Sequence, residues 1–286
     1  MNEYRIFTDS ACDLSAEVLR LWGVKFCSLS FMFDGESRSY ENYELPAPVF
    51  YQFMRDGKTA QTSAINPDSF SHAFERELKK GRDILYLGFS SALSTTCNSA
   101  RIAAEELTEQ YPDRKILVVD TLGASAGQGL LVYLTVQHKR AGASIEEAAR
   151  FAEENKQRVC QWFTTDTLTY LKRGGRVSST SAVFGNMLDI RPLMHVDKEG
   201  KLTNTAKLRG RKATIRALAD KAIQSAEEGC PIFISHADCE EDAIALAHMI
   251  RDARGLKPEI ITDVGPVIGA HAGPGTLALF FVGTDR

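Results

Sequence analysis

The apolar residues in the first half of the chain occur in short runs separated by longer amphipathic stretches. The runs predict β-strands, at residues 4–8, 24–33, 83–89 and 115–120. Apolar positions three and four residues apart predict helices, at 14–22, 67–80, 93–111 and 124–140. Strands that alternate with helices of this length are typical of β-α-β units. We therefore predict an N-terminal α/β domain with a mostly parallel sheet for residues 1–157.

In the second half of the chain the predicted strands and helices do not alternate regularly, because a predicted hairpin places two strands in succession. Two strands, at 191–196 and 201–207, flank a charged turn that ends in Gly200, a residue suited to positive φ. Further strands are predicted at 159–164, 232–235, 259–262 and 277–282. Helices are predicted at 168–173, 178–190, 212–228 and 241–254. This pattern favours a C-terminal domain at 158–286 with a mixed α+β sheet.

Composition narrows the class of protein. A length of 286 residues corresponds to about two domains. The net charge of -3 gives no general attraction to nucleic acid. No run approaches the roughly 18 apolar residues of a membrane helix, and the N-terminal residues lead into a strand, so we expect no integral membrane segment and no signal peptide. The six cysteines form no C-x-x-C pair. This indicates free thiols, no metal site and a cytoplasmic protein.

The sequence lacks several motifs that would define an enzyme. There is no G-x-x-x-x-G-K-[ST] loop and no G-x-G-x-x-G after a strand, so nucleotide binding has no motif support. The G-x-S-x-G turn of hydrolases and the H-E-x-x-H zinc motif are also absent.

Hydroxyl side chains follow several strands of the predicted parallel sheet. They lie in Thr8-Asp9-Ser10, in the loop with Thr62-Ser63, in residues 90–96, which include Ser91 and Ser94, and at Thr121 and Ser125. Because ligands bind beyond the carboxyl ends of parallel strands, such hydroxyls and free amide groups can form an anion site. The same residue types are also common as helix caps and turn residues, so each loop alone leaves both interpretations open.

Two further clusters carry candidate chemistry. Lys172, Arg173 and Arg176 surround two glycines, and Arg209 belongs to a second basic group around Gly210. These cations could hold a phosphate or carboxylate, or could complement helix ends. Residues 265–275 contain four glycines and two prolines, which predicts a tightly shaped loop. His271 in this loop is a candidate anion partner, general acid or base, or phosphate acceptor, or else a turn residue bonded to backbone.

These clusters together resemble the DegV family. The family's T-D-S-x-x-D-L pattern matches residues 8–14, and its L-x-x-L-K-x-G-G-R-[IV]-S pattern matches 168–178. Its G-x-x-x-G-x-H-x-G-P-G pattern matches 265–275. T-S-Q-P is matched by Thr62-Ser63, followed here by Ala64 and Ile65. S-S-x-L-S-G-T is matched at 90–96, with Thr95 where the family usually has Gly. The matches occur in order along nearly the full chain.

The resemblance implies a two-domain α/β fold that buries an acyl chain, as in fatty-acid-binding proteins of the FakB type. Such a carrier has no turnover and no cofactor. It would present the carboxylate of a long-chain fatty acid to a separate ATP-dependent fatty acid kinase subunit and hold the acyl phosphate. The implied head-group residues are Thr62, Ser63, Ser91, Ser94 and His271. The implied contacts to phosphate or partner are Arg176, Lys172, Arg173 and Arg209.

Alternatives remain open at this point. The chain could be a small-molecule phosphotransferase or hydrolase that uses His271 or Asp9, or a regulatory protein with the basic residues as a docking face. Ala64 and Ile65 are expected to alter the head-group loop, and Thr95 would place a Cβ where the backbone needs positive φ. Candidates for the wall of an acyl tunnel, each equally suited to ordinary core, are Phe33, Phe163, Phe184, Met187 and Leu193.

Overall fold

The computed structural model of the chain describes residues 3–177 and 189–286. In chain order the strands of these ranges are β1 (Tyr4–Asp9), β2 (Lys25–Cys27), β3 (Ser30–Phe33), β4 (Tyr40–Glu41), β5 (Ala60–Ser63), β6 (Asp83–Gly88), β7 (Ile116–Asp120), β8 (Val159–Thr164), β9 (Ile190–Val196), β10 (Leu202–Arg209), β11 (Ile232–His236), β12 (Pro258–Asp263) and β13 (Leu277–Val282). The α-helices are α1 (Ala16–Leu21), α2 (Ala47–Arg55), α3 (Pro67–Leu78), α4 (Thr96–Gln110), α5 (Ala126–Arg140), α6 (Ile145–Asn155), α7 (Thr169–Arg173), α8 (Arg211–Ser225), α9 (Glu240–Arg254) and α10 (Pro266–Ala272).

The first large sheet has the strand order β2-β1-β6-β7, and every neighbouring pair is parallel. All six residues of β6 are buried, as expected for a central strand covered on both faces. Asn66 caps α3 by accepting a hydrogen bond from the amide of Ser69, and Pro67 occupies the first turn. The prediction of a parallel sheet with crossover helices is confirmed.

The second large sheet is mixed, as predicted, with the order β10-β9-β8-β13-β11-β12. Its neighbouring strands are antiparallel except for the parallel pair β11 and β12. The predicted hairpin joins β9 and β10, and Gly200 in its turn has a φ of 77°. Within the predicted helix at 178–190, residues 178–188 lie outside the described residues, and Ile190 begins β9.

Three predictions of local structure were wrong. The run at 24–33 is not one strand: β2 joins the parallel sheet, whereas β3 pairs with β4 and β5 in a small antiparallel sheet. Thr62-Ser63 therefore lies in strand β5 and not in a loop. Most of 265–275 is helical, because the segment from Pro266 to Ala272 forms α10. Helices α2 and α6 were not predicted, although the Ser144 and Glu147 capping box of α6 is visible in the sequence.

Helix α5 lies between the two large sheets. It packs on β6 of the parallel sheet and on β8, β11 and β13 of the mixed sheet. One continuous apolar cluster accordingly contains Leu85 and Leu130 together with Phe233 and Phe280. The strands of the two sheets fall on either side of residue 157, but the packing crosses that position. The domain boundary at 157/158 stays a prediction.

Helix α10 is held by buried polar side chains from the first half of the chain. The Gly265 amide donates to Oδ1 of Asp13 at 3.0 Å, and the Val267 amide donates to Oδ1 of Asn42 at 2.8 Å. Tyr51 adds a hydrogen bond from its hydroxyl to the carbonyl of Val264 at 2.6 Å. The first amides of a helix have no partner within the helix, so Asp13 and Asn42 satisfy donors that would otherwise be buried and unpaired.

We predict that Asn42→Ala lowers the free energy of unfolding by about 1–3 kcal/mol, because it leaves the Val267 amide buried without an acceptor. Urea denaturation measures the change. Asn98→Ala is the matched control, since Asn98 is exposed on α4, and we expect an effect near zero there. Equal effects of the two substitutions would contradict the clamping role of Asn42.

Candidate functional site

A cavity of about 520 Å³ lies between the parallel and mixed sheets. This volume is within the range of roughly 300–1,000 Å³ that small-molecule sites occupy. Most of its wall is apolar: the mixed sheet contributes Phe163, Ala278 and Phe280, and the first half of the chain contributes Leu29 and Phe89. The space therefore favours an apolar ligand body.

Polar side chains from four separate segments meet in this cavity. Among the residues singled out in the sequence, Thr62, Ser91, Ser94, Arg176 and His271 all line it. They come from β5, from the loop after β6, from the segment after α7 and from α10. The fold thus brings together residues that are up to 209 positions apart in the chain.

His271 forms the centre of this polar group. Its Nε2 shares a hydrogen bond with Oγ1 of Thr62 at 2.8 Å, while its buried Nδ1 has no hydrogen-bond partner among the described residues. Gly174 lies against the ring, and a Cβ at that position would come within 2.1 Å of Nδ1. Burial, helped by the nearby guanidinium of Arg176, lowers the pKa of His271 from 6.5 to about 4. The imidazole is therefore neutral at pH 7.

Arg176 supplies a positive charge to the same region. Its Nε donates to the carbonyl of Leu93 at 3.2 Å, and a terminal nitrogen donates to the carbonyl of Gly174 at 2.5 Å. Among the described residues, no carboxylate lies within ion-pair distance of this guanidinium. Burial lowers the pKa of Arg176, but a guanidinium stays protonated in proteins. A half-buried cation without a counter-ion favours an anionic group beside it.

The serines of the 90–96 loop have different environments. Ser90 points away from the cavity and donates to the carbonyl of Gly200 at 2.9 Å. Ser94 lines the cavity, and its hydroxyl accepts from the Thr96 amide at 3.2 Å while bonding to the Thr96 hydroxyl. Ser91 also lines the cavity and is exposed, with its amide directed at the Asp120 carboxylate.

Several residues singled out in the sequence lie outside the cavity wall. Ser63 is exposed, because side chains alternate along β5 and Thr62 takes the inward position. Lys172, Arg173 and Arg209 are outside the wall as well. Asp9 is buried beneath the site, where it accepts hydrogen bonds from the Tyr86 hydroxyl at 2.6 Å and from backbone and side-chain amides. Burial raises the pKa of Asp9.

The departures from the family pattern leave the loop geometry unstrained. Thr95 has a φ of −73°, in the right-handed region, so the expectation of a positive φ there was wrong. Ala64 lines the cavity. Ile65 is buried in the core, and its amide donates to the Thr96 hydroxyl at 3.4 Å, a bond that proline in this position could not make.

Of the proposed tunnel residues, Phe163 lines the cavity, whereas Phe33 and Leu193 belong to other parts of the core. Phe184 and Met187 lie outside the described residues. Ser125, one of the hydroxyls that the sequence analysis placed after a strand, lines the cavity. Thr276 lines it as well and was not singled out in the sequence. Both hydroxyls are bonded within the fold.

The described residues contain no cluster of three or more His, Cys, Asp or Glu side chains suited to a metal ion. All six cysteines are free thiols. Within residues 3–177 and 189–286, no helix combines the length and apolar composition needed to cross a membrane.

Fold and site together define an α/β protein with a largely apolar cavity between two sheets and a polar cluster of hydroxyls, a neutral histidine and one arginine. The chain belongs to the DegV family: the family model described as "Uncharacterised protein, DegV family" matches residues 3–284. A DegV domain-containing protein of Clostridium perfringens is 46% identical over 290 residues, covering 100% of this chain and 99% of the relative.

Solved structures of the family share the fold. A DegV family protein from Thermus thermophilus, described for its fatty acid binding, has a TM-score of 0.87 and 28% identity, covering 99% of this chain and 100% of that one. The fatty acid kinase B3 protein of Streptococcus pneumoniae, loaded with linoleic acid, has a TM-score of 0.86 and 22% identity, with coverage of 99% and 100%. At 22% identity, the similarity to the Streptococcus pneumoniae protein shows only that the two chains share a fold. Fatty acid binding is thus a property of DegV family relatives.

The lowered pKa of His271 leads to a prediction about pH. Between pH 6.5 and about 4 the unfolded chain protonates this histidine and the folded chain does not, so stability that is fully present above pH 6.5 is lost as the pH falls toward 4. We expect the ring signals of His271, assigned with His271→Gln, to show a neutral imidazole at pH 5.5. We also expect wild type to lose more stability than His271→Gln between pH 7 and pH 5 in urea denaturation. A midpoint near 6.5 for the His271 ring would contradict this.

Proposed function

We propose that this chain binds a long-chain fatty acid in the cavity between the sheets, with the alkyl chain against the apolar wall and the carboxylate beside His271. The observation that carries the proposal is an apolar cavity that ends at hydroxyls, a neutral imidazole and a guanidinium with no carboxylate partner among the described residues. Fatty acid binding by DegV relatives supports it.

The energetics favour such a ligand. An alkyl chain of roughly 15 methylenes at ~0.8 kcal/mol each offers about 12 kcal/mol of gross apolar burial. Association and ordering offset a large part of that. Because the tail supplies the affinity, the head group requires only orientation. Neutral donors suffice for this, and they leave the carboxylate more reactive than a bidentate arginine clamp would.

The geometry supports a set of proposed head-group contacts. Thr62, Ser91 and Ser94 carry hydroxyls at the cavity wall, and His271 can donate from one ring nitrogen to a carboxylate oxygen. We assign Arg176 to the phosphate of an acyl phosphate, which carries more charge than a carboxylate and so gains more from a partly desolvated cation. Ser63 is not part of this proposal, because it is exposed and outside the cavity wall.

We further propose that the bound carboxylate is the substrate of a separate ATP-dependent kinase subunit, as the name of the Streptococcus pneumoniae relative suggests. A carboxylate oxygen would attack the γ-phosphorus of ATP held by the partner. The bond from that phosphorus to ADP would break, and the acyl phosphate would stay on this chain. The cations Lys172, Arg173 and Arg209, which lie outside the cavity wall, would contact the partner. In this proposal the chain is a cytoplasmic carrier without turnover of its own.

An enzymatic alternative rests on His271, which lines the cavity and whose Nδ1 has no hydrogen-bond partner among the described residues. A phosphotransferase using this histidine would form phosphohistidine, or would turn over a phosphorylated substrate without a partner. Asp9 does not support such a role, because its carboxylate is buried away from the cavity and already bonded by several donors. Incubation with phosphoryl donors followed by mass spectrometry separates the two functions.

Organic extraction of the purified protein with mass spectrometry of the extract tests the ligand. We expect about one fatty acid per chain, because an apolar cavity of this size gains more from an alkyl chain than from water. An empty protein that also fails to take up added oleate would contradict the proposal and bring the phosphotransfer alternative forward.

Removal of head-group donors tests the site. We expect Ser94→Ala and His271→Ala each to reduce acyl-phosphate formation by the kinase partner about 10- to 100-fold, since each removes a hydrogen bond to a charged group. Radiolabelled ATP and oleate-loaded protein provide the assay. Ser69→Ala and His72→Ala are matched controls at exposed positions of α3. Unchanged kinetics in both test variants would refute the head-group assignment.

A further inference from the structure

A second cavity, of about 690 Å³, lies on the other side of the β12–α10 turn. Among the described residues it shares no lining residue with the cavity proposed to hold the fatty acid, which is called the acyl cavity below. Its apolar part is formed by Leu14 before α1, Val18 in α1, Pro48 in α2, and Ile260 and Ile261 in β12. We refer to this space as the acidic groove. Its volume is again in the range of small-molecule sites.

Five carboxylates line the acidic groove. Asp238 and Asp242 are paired with arginines outside the groove lining, Asp238 with Arg55 and Asp242 with Arg211, each at 2.7 Å. The remaining three are Glu240, Glu241 and Asp263. In the described part of the chain, no lysine or arginine lies within ion-pair distance of those three, and none lines the groove. The groove therefore has an excess of negative charge.

Asp263 is one of the three groove carboxylates without a lysine or arginine partner among the described residues. It lies at the carboxyl end of β12, with its side chain about half exposed. Burial raises the pKa of Asp263, His236 acts in the opposite direction, and the charges of Glu240 and Asp238 add to the increase. A cation in the groove would offset the repulsion between these carboxylates, because it would attract each ionised carboxylate.

His236 provides a second and independent observation. This residue ends β11, lines the groove and is only 8% exposed. Neither of its ring nitrogens makes a hydrogen bond among the described residues, and its buried Nδ1 lies 3.8 Å from Oδ1 of Asp263. That separation is too long for a hydrogen bond. Most buried polar side chains in folded proteins have a hydrogen-bond partner, and a ligand that donates N–H groups would supply one to this ring.

The helix dipole of α9 explains the presence of only some of the carboxylates in the acidic groove. Acidic residues in the first turn of a helix stabilise its dipole, which is sufficient reason for Glu240, Glu241 and Asp242. It does not account for Asp263 and His236, which come from two different strands. No group of residues here is suited to a metal ion within the described ranges, and the negative charge disfavours an anion.

We propose that the acidic groove binds a small organic cation with an ammonium, amidinium or guanidinium group on an apolar body. The charged group would lie against Asp263 and Glu241 and donate a hydrogen bond toward His236. The apolar body would contact Leu14, Val18 and Ile260. This site is separate from the proposed fatty acid site, and neither proposal depends on the other.

Benzamidine and benzamide provide a matched pair of probes, since both are planar and apolar in body and only benzamidine is charged. Titration calorimetry and amide NMR shifts are measured on the full chain, with and without an excess of oleate, so that occupancy of the acyl cavity is controlled. We expect saturable benzamidine binding, with shifts near residues 236 and 263, at least tenfold stronger than benzamide binding in both conditions.

Substitutions that remove one charge locate the binding. We expect Asp263→Asn to weaken benzamidine binding at least tenfold and Glu241→Gln to weaken it several-fold, with oleate uptake unchanged. Glu259→Gln is the control, because Glu259 is an exposed carboxylate of β12 outside the groove, and it should bind as wild type does. Equal binding of the two probes, or benzamidine binding that both groove variants leave unchanged, would overturn the proposal.

Discussion

The architecture of the site depends on the requirement that buried polar groups be hydrogen bonded. Helix α10, which carries His271, begins in the interior, where water cannot satisfy its first amides. Asp13 and Asn42 provide the acceptors, and Asn42 lies 225 positions before the amide that it binds. The histidine therefore reaches its position beside Thr62 only when the two halves of the chain have packed together. The cavity is a property of the whole fold, and neither half contains it alone.

Burial also determines the charge of the polar cluster. The protein interior disfavours ions, and this keeps His271 neutral at physiological pH. Arg176 is the exception, since a guanidinium retains its proton, and carbonyl oxygens of Leu93 and Gly174 solvate it in place of a carboxylate. Among the described residues, the result is a cluster of neutral donors with one fixed cation that has no carboxylate partner. An anion bound there would be attracted without competition from such a partner.

The sequence predicts the parallel sheet, the hairpin and the gathering of hydroxyls because periodicity and strand ends are local properties. The sequence does not predict that residues 24–33 divide between two sheets. A continuous apolar run indicates a buried strand, but it does not specify which other strand each part pairs with. The sequence also does not predict α10. Its glycines suggest a loop, but in the structure they allow other side chains to pack closely against the helix. A Cβ on Gly269 would lie 2.4 Å from the Tyr51 hydroxyl, and Tyr51 is far away in the sequence. Likewise, the inward direction of Thr62 and the outward direction of Ser63 can be assigned only when the register of β5 is known.

The β12–α10 turn separates two environments of opposite character. Asp263 faces the acidic groove, whereas the next residue, Val264, lines the acyl cavity. The turn is fixed on both sides, because the Val264 amide donates to the carbonyl of His236 and its own carbonyl accepts from Tyr51. A carboxylate in the acyl cavity would be repelled by Asp263 or Glu240 if either faced it. By directing these carboxylates to the far side of a hydrogen-bonded turn, the fold keeps the negative charge of the groove away from the neutral donors and the arginine, so the two cavities differ in electrostatic character.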